Sequence, residues 1–361
     1  MRTRADEPRL RGPQIGSGRH GLIALGPWAF RFERRGAAVY AALVVAIVVV
    51  GLFAMTLGDY DIGVGQVIGA VFEHTSDPLA DYFVTGVRAP RIVAAVLVGA
   101  ALGISGSIFQ TISGNPLGSP DIIGFSTGAA TGALVQIIAF NAGATAVSLG
   151  ALGGGLAAAA LVYVLAWRNG VAGFRLVLVG IGLAAALHAV NSLLVVKASL
   201  SAAQTAEQWL AGSLNGQTWT QVDILAVSMA VLVPAAAVLF RPLGVMPLGD
   251  ELGIGLGIRV QHARLGVVVV GVGLAALATA ATGPVAFVAL AAPHLVRRLS
   301  HSAGPVVAGS ALMGALLVLV SDIVAQRLFA PTQLAVGTVT GSLGGVYLIA
   351  LLALEWKKHR G

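Results

Sequence analysis

Apolar runs of about 20 residues recur from Ala37 to Leu354, and this pattern constrains the fold more than any other feature. Each run, coiled as a helix rising about 1.5 Å per residue, is long enough to cross roughly 30 Å of hydrocarbon. Ten such runs are readable, at 37–57, 89–112, 121–140, 144–167, 175–197, 221–241, 263–283, 284–299, 305–328 and 333–355. The run 284–299 is short for a crossing and reads as tilted or partly buried. Only 10% of the residues are charged and 57% are hydrophobic, against roughly 25% charged in soluble domains. The expected fold is therefore all-α, a polytopic membrane protein of about ten transmembrane helices. Its 48 glycines suit such a bundle, because close helix approach in lipid relies on small residues at the contacts.

Charge placement orients the bundle. An even number of spans puts both termini on one side. Eighteen of the 22 Lys and Arg residues then share that side, leaving Arg88, Arg91, Lys197 and Arg327 on the other. Basic residues accumulate on the cytoplasmic side, so both termini are expected there. Residues 1–36 hold eight arginines among Gly and Pro and read as a basic, disordered cytoplasmic arm; residues 37–361 form the transmembrane domain. Arg34-Arg35 precedes a run too long for a signal core.

Several function classes lose support. The net charge of +7 lies beside membrane spans rather than in a basic stripe with aromatics, which argues against nucleic-acid binding. There is no cysteine, and the histidines have no metal-ligand spacing. Gly16-Ser17-Gly18 is not followed by the Lys-Ser/Thr of a phosphate loop, and no nucleophile–base set is visible. No catalytic residue, metal or cofactor is assigned to the chain.

The stretch from Arg88 to Gly132 carries the most information. Arg88 and Arg91 flank Pro90, and small and apolar residues follow to Gln110. A polar hinge comes next, Ser113-Gly114-Asn115-Pro116-Leu117-Gly118-Ser119-Pro120-Asp121, before a second apolar run. Two prolines within nine residues cannot continue a helix. By themselves the arginines suit interfacial anchoring; they could also pair bidentately with carboxylates of a docking protein. Further on, residues 242–262 form the longest internal loop on the cytoplasmic side, where Asp250 and Glu251 could open a short helix. His188 and Asn191 share one helix face and suit an interhelical hydrogen bond, with a lining role as the other reading. Asp322 reads as a local charge partner of Arg327. His294 reads as structural.

The order and spacing of these segments resemble the permease subunits of bacterial ATP-driven importers for iron–siderophore complexes, haem and vitamin B12. The likeness extends to Trp209-Leu210-Ala211-Gly212-Ser213-Leu214-Asn215-Gly216, Leu248-Gly249-Asp250-Glu251, Gly283-Pro284-Val285-Ala286-Phe287-Val288 and Pro293-His294, and covers nearly everything after residue 37. Within that family, Ala166-Trp167-Arg168-Asn169-Gly170, Lys197-Ala198-Ser199-Leu200 and Leu343-Gly344-Gly345-Val346-Tyr347-Leu348-Ile349 look most like the ferric-enterobactin permeases.

The resemblance implies that Arg88 and Arg91 dock an extracytoplasmic siderophore-binding protein. Many members carry arginine at position 326, where this chain has Gln326 with Arg327 adjacent, so Arg327 is grouped with the docking set. Asn115, Pro116 and Leu117 would belong to a cytoplasmic gate. Leu248, Gly249, Asp250, Glu251, Leu256 and Gly257 would couple to an ATP-hydrolysing subunit. ATP would bind on that partner, present in two copies beside a second permease chain, a heterodimer being favoured over a homodimer. From spacing alone, Ser105, Ser107, Gln110, Thr111, Ser126 and Thr127 are candidates for the pathway wall. The competing class is an ion-coupled secondary transporter of a small polar or chelated solute, which calls for ionisable groups near the midplane; few are present.

Overall fold

A computed structural model of the chain describes residues 20–25, 28–58, 60–72, 77–168, 173–302 and 304–359. The helices are α1 (Arg34–Thr56), α2 (Val64–Phe72), α3 (Pro78–Asp81), α4 (Ala89–Ser113), α5 (Phe125–Ala139), α6 (Ala144–Ala166), α7 (Gly173–Lys197) and α8 (Leu200–Leu210). They continue with α9 (Trp219–Val238), α10 (Phe240–Val245), α11 (Asp250–Gly255), α12 (Val260–Thr282), α13 (Val288–Ser300), α14 (Val307–Arg327) and α15 (Val336–His359). A wide π-helical run, Tyr82–Arg88, joins α3 to α4.

The ten apolar runs correspond to α1, α4, α5, α6, α7, α9, α12, α13, α14 and α15. Among the described residues, seven helices are long and apolar enough to cross a membrane, while α5 and the Val336–Ala350 part of α15 are apolar but shorter. The 13-residue α13 is the short run anticipated from the sequence. It begins only after an irregular segment containing Gly283 and Phe287, both at positive φ.

Small residues decide what sits in the middle. Helix α4 is buried along most of its length and packs against α14, α12, α13 and α9. A methyl group on Gly99 would strike the backbone of Gly314, and one on Gly103 that of Ser310. This pairing of small residues four apart on both helices brings the backbones into contact. Lipid offers no hydrophobic drive for association, so dispersion contacts of this kind hold the pair together. The same device joins α5 to α6, where Gly128 and Gly132 face Gly150 and Gly154. By contrast α1 buries only Leu43, Gly51 and Ala54 and presents Val44, Val45, Val48, Val49, Leu52 and Phe53. In a membrane these side chains meet acyl tails and need no protein cover.

Local chemistry sets several boundaries. Asp77 caps α3 by accepting from the Leu79 and Ala80 amides, with Pro78 in the first turn, where a missing N–H is harmless. Thr218 and Gln221 form a reciprocal capping box on α9. Gly114 closes α4 in the left-handed region, φ 60°.

Two regions depart from the sequence reading. Part of the arm expected to lack order forms an antiparallel hairpin, His20–Leu25 paired with Trp28–Glu33; residues 1–19 lie outside the described residues. The connections 59–88 and 197–221 also carry helices, α2, α3 and α8, that no long apolar run announced.

Candidate functional site

The arginines at the N-terminal end of α4 are held by the chain itself. Arg88 ends the π-helical run, and its side chain reaches back to the α1–α2 connection. Its Nη1 donates to the Met55 carbonyl at 2.7 Å and its Nη2 to that of Tyr60 at 2.5 Å. The residue is 8% exposed, and a side chain on Gly58 would collide with the guanidinium. Arg88, grouped with the docking residues by the resemblance, thus clasps a loop of its own chain, because burial demands partners for its donors.

Arg91 pairs bidentately with Asp322 of α14, Nη2 to Oδ1 at 2.8 Å and Nε to Oδ2 at 2.9 Å. It also reaches Gln333 Oε1 at 3.3 Å. Asp322 is 2% exposed and accepts from Gln326 Nε2 at 2.8 Å as well. Asp322 is thus the partner of Arg91, not of Arg327, since it lies on the α4-facing side of α14. Arg327 is exposed and donates to the Gly58 carbonyl at 2.9 Å.

At the other end of α4, the Asn115 side chain accepts from the Leu117 amide at 2.9 Å, and Ser113 Oγ donates to the Phe109 carbonyl at 2.7 Å. These bonds fix a tight turn with Asn115, Pro116 and Leu117 exposed. The chain then turns inward through buried Gly118, Ser119 and Pro120 to Asp121, whose carboxylate accepts from Ser126 Oγ at 2.5 Å.

Asp121 stands between two cavities. The larger, 630 Å³, is lined by Ser126 and Thr127 of α5, His188 and Asn191 of α7, Glu207 of α8, and Pro284. The smaller, 360 Å³, is lined chiefly by apolar residues, among them Leu117, Ile122, Phe287, Leu290 and Leu348. Asp121 and Ala286 border both. Two non-helical segments, 114–124 and 283–287, therefore meet where the cavities are separated. Phe287 holds a left-handed backbone, φ 66°, uncommon for an aromatic residue, and its ring lies directly over Gly344 of α15.

Of the six residues suggested for the pathway wall, the structure brings Ser126 and Thr127 to the larger cavity. The four on α4 lie elsewhere because α4 is central and its small polar groups serve helix contacts. Ser105 Oγ donates to the Gly271 carbonyl at 2.7 Å, Thr111 Oγ1 to that of Ser107 at 2.7 Å, and Ser107 is buried. Gln110 donates to the Leu290 carbonyl at 2.9 Å and accepts from Arg297. His188 and Asn191 both reach the cavity, and Asn191 also makes a long 3.5 Å contact to the Thr127 carbonyl. Glu207 and Asp121 were missed. A carboxylate inside the amphipathic Leu200–Leu210 segment was the available signal for the first. His294 packs against Tyr347 and contacts its hydroxyl, a structural link between α13 and α15.

The 242–262 loop folds as α10, a 3₁₀ turn Met246–Leu248, and α11. Its short acidic helix forms as anticipated, Asp250 and Glu251 opening it. Gly249 and Gly257, at φ 96° and 78°, bracket α11 in conformations that side-chain-bearing residues rarely adopt. Leu248, Leu252, Ile254 and Leu256 are all exposed, an apolar patch on a loop rather than on a span. Asp250 pairs with Arg264 of α12, Nη2 to Oδ1 at 2.6 Å and Nη1 to Oδ2 at 3.2 Å.

The FecCD transport family matches residues 45–354. The chain belongs to the FecCD transport family. Among curated relatives, it is 46% identical over 316 residues to the ferric enterobactin transport system permease protein FepG of Escherichia coli (strain K12), covering 88% of this chain and 96% of that protein. It is 32% identical to the Fe(3+)-citrate import system permease protein YfmE of Bacillus subtilis (strain 168), over 87% and 96% of the two chains. A solved metal-chelate type ABC transporter in an inward-facing conformation superposes with a TM-score of 0.78 at 25% identity, covering 88% of this chain and 99% of that one. As a FecCD member the chain is a multi-pass, all-α transport permease.

Proposed function

We propose that this FecCD permease is the membrane-spanning subunit of an ATP-driven importer that moves iron–siderophore complexes into the cytoplasm of a bacterium. The observation that carries the reading is the 46% identity to a ferric enterobactin permease across 96% of that protein's length. The geometry agrees with it. A 630 Å³ cavity with a mixed polar wall is separated by Asp121 and Ala286 from a smaller apolar one. The wall of the larger cavity combines the hydroxyls of Ser126 and Thr127 and the amide of Asn191 with the ionisable Asp121, His188 and Glu207, a few placed polar groups in a concave site.

The 18-to-4 partition of basic residues supports an inner-membrane orientation with both termini cytoplasmic. The end bearing Arg88, Arg91 and Arg327 is then the outer one. A soluble siderophore-binding protein docks there, chiefly on exposed Arg327 and on the margin of the Arg91–Asp322 pair. Asn115, Pro116 and Leu117 lie at the inner end, beside the smaller cavity, and serve as the cytoplasmic gate. The apolar patch of Leu248, Leu252, Ile254 and Leu256 seats one of two ATPase subunits, which bind and hydrolyse ATP. A second permease chain, a different polypeptide rather than a copy, covers the side of the larger cavity where His188 and Val196 are exposed.

Reconstitution tests the reading. In proteoliposomes holding the permease pair, the ATPase and the binding protein, uptake of radio-iron-labelled ferric enterobactin should require ATP and persist when the proton gradient is collapsed. Uptake that follows the gradient and ignores ATP would overturn it in favour of ion-coupled transport.

A further inference from the structure

Helix α12 connects the two places where an importer must communicate. Arg264 lies in its second turn, near the 246–257 segment. Its far end, Thr282–Gly283, leads straight into Pro284 and Ala286 on the cavity walls. About 20 residues of helix separate these points, a rod of roughly 30 Å. The rod is braced along its length by the core: α12 packs against α4, α6 and α9, and Ser105 of α4 binds the Gly271 carbonyl. Beyond its last turn, the Ser213 amide donates to the Thr282 carbonyl at 2.7 Å.

The near end of the rod has a weak point. Leu252 and Ile254 of the exposed apolar patch lie on α11, which is bracketed by Gly249 and Gly257 and itself contains Gly253 and Gly255. Glycine lets the backbone rotate freely, so a push on Leu252 or Ile254 could be absorbed at these hinges. The Asp250–Arg264 pair spans Gly253, Gly255 and Gly257. Arg264 is 6% exposed, and its two terminal nitrogens grip both carboxylate oxygens of Asp250. A forked pair fixes orientation as well as distance, and a buried arginine keeps its partner tightly because loss of that partner strands a charge. Close contact of Gly253 with Val260, and the Ile258 amide bonded to the Gly253 carbonyl at 3.0 Å, complete the splint.

Resting on the importer reading above, we propose that Asp250 and Arg264 are positioning residues that make α11 and α12 move as one body. Motion imposed by the ATPase on the apolar patch then travels along α12 to the Pro284–Phe287 segment and changes the separation of the two cavities. The pair itself contacts neither chelate nor nucleotide.

The test is the number of chelate molecules taken up per ATP hydrolysed, measured with labelled ferric enterobactin in the reconstituted full complex. Arg264→Gln should lower this ratio about tenfold, the usual scale of a lost coupling interaction. Arg264→Lys, which keeps the charge but loses the fork, should fall between. If Arg264→Gln does not assemble, Asp250→Asn reads the same ratio from the less buried partner. A ratio within about twofold of the unaltered complex in whichever of these two variants assembles would overturn the proposal. Failure of both to retain the ATPase subunit would assign the pair to docking alone and also overturn it. Absence of ATP-driven uptake in the unaltered complex is a separate outcome, which removes the importer reading first.

Discussion

The two ends of the molecule treat their charges alike but expose different surfaces. At the end where α4 begins, Arg88 clasps the carbonyls of Met55 and Tyr60, and Arg91 grips buried Asp322. At the end that carries α11, Asp250 turns back onto Arg264. In each case a charged side chain placed near a proposed partner surface is occupied in holding the chain's own elements together. What remains outward differs: exposed Arg327 at one end, and Leu248, Leu252, Ile254 and Leu256 at the other. Polar contacts through an exposed cation tune association rate and respond to salt, which fits a soluble protein that docks and leaves. A compact apolar patch fits a partner that stays.

Substitutions at four positions can break or sharpen that comparison, read first as thermal stability of the purified permease. Asp322→Ala should have the largest effect, a loss of about 3–5 kcal/mol, because it strands Arg91 against α14; a loss below about 1 kcal/mol would mean that the pair is effectively solvated. Arg88→Ala comes next, at about 2–3 kcal/mol for two charge-assisted bonds to carbonyls, with Arg88→Lys recovering part. Arg327→Ala should cost under about 1 kcal/mol, yet weaken binding-protein association at low salt. Unchanged association, measured by surface capture of the binding protein, would remove Arg327 from the docking surface. The smallest stability change belongs to Leu252→Asp, within about 0.5 kcal/mol because the side chain is exposed. The same variant should abolish copurification of the ATPase subunit. Retention of the ATPase would show that the patch is lipid-facing or idle.

The candidate site was legible in part, and the reason lies in helix rotation. Ser126 and Thr127 open α5 on the side that faces the cavity, whereas Ser105, Ser107, Gln110 and Thr111 sit on a helix with neighbours all round. Small hydroxyl residues look the same in both settings, since they serve either a water-filled wall or a close helix contact. His188 and Asn191 were distinguishable as a polar pair on one face of an otherwise apolar span. Asp121 was visible only as the last residue of a hinge, and its place between two cavities follows from the approach of Ala286, which is 165 positions away in the chain.

The sequence by itself determined the solvent of this protein, the ten helical segments, the break at Asn115-Pro116, and the family. These are sums over contiguous residues: hydropathy accumulates along a run, and proline and glycine act where they stand. Only the tertiary structure decided that Arg88 points inward, that Asp322 belongs to Arg91, and which hydroxyls meet a cavity. Those outcomes depend on which helix faces which, across separations such as the 231 residues between Arg91 and Asp322, and a buried charge takes whichever partner the packing brings within reach.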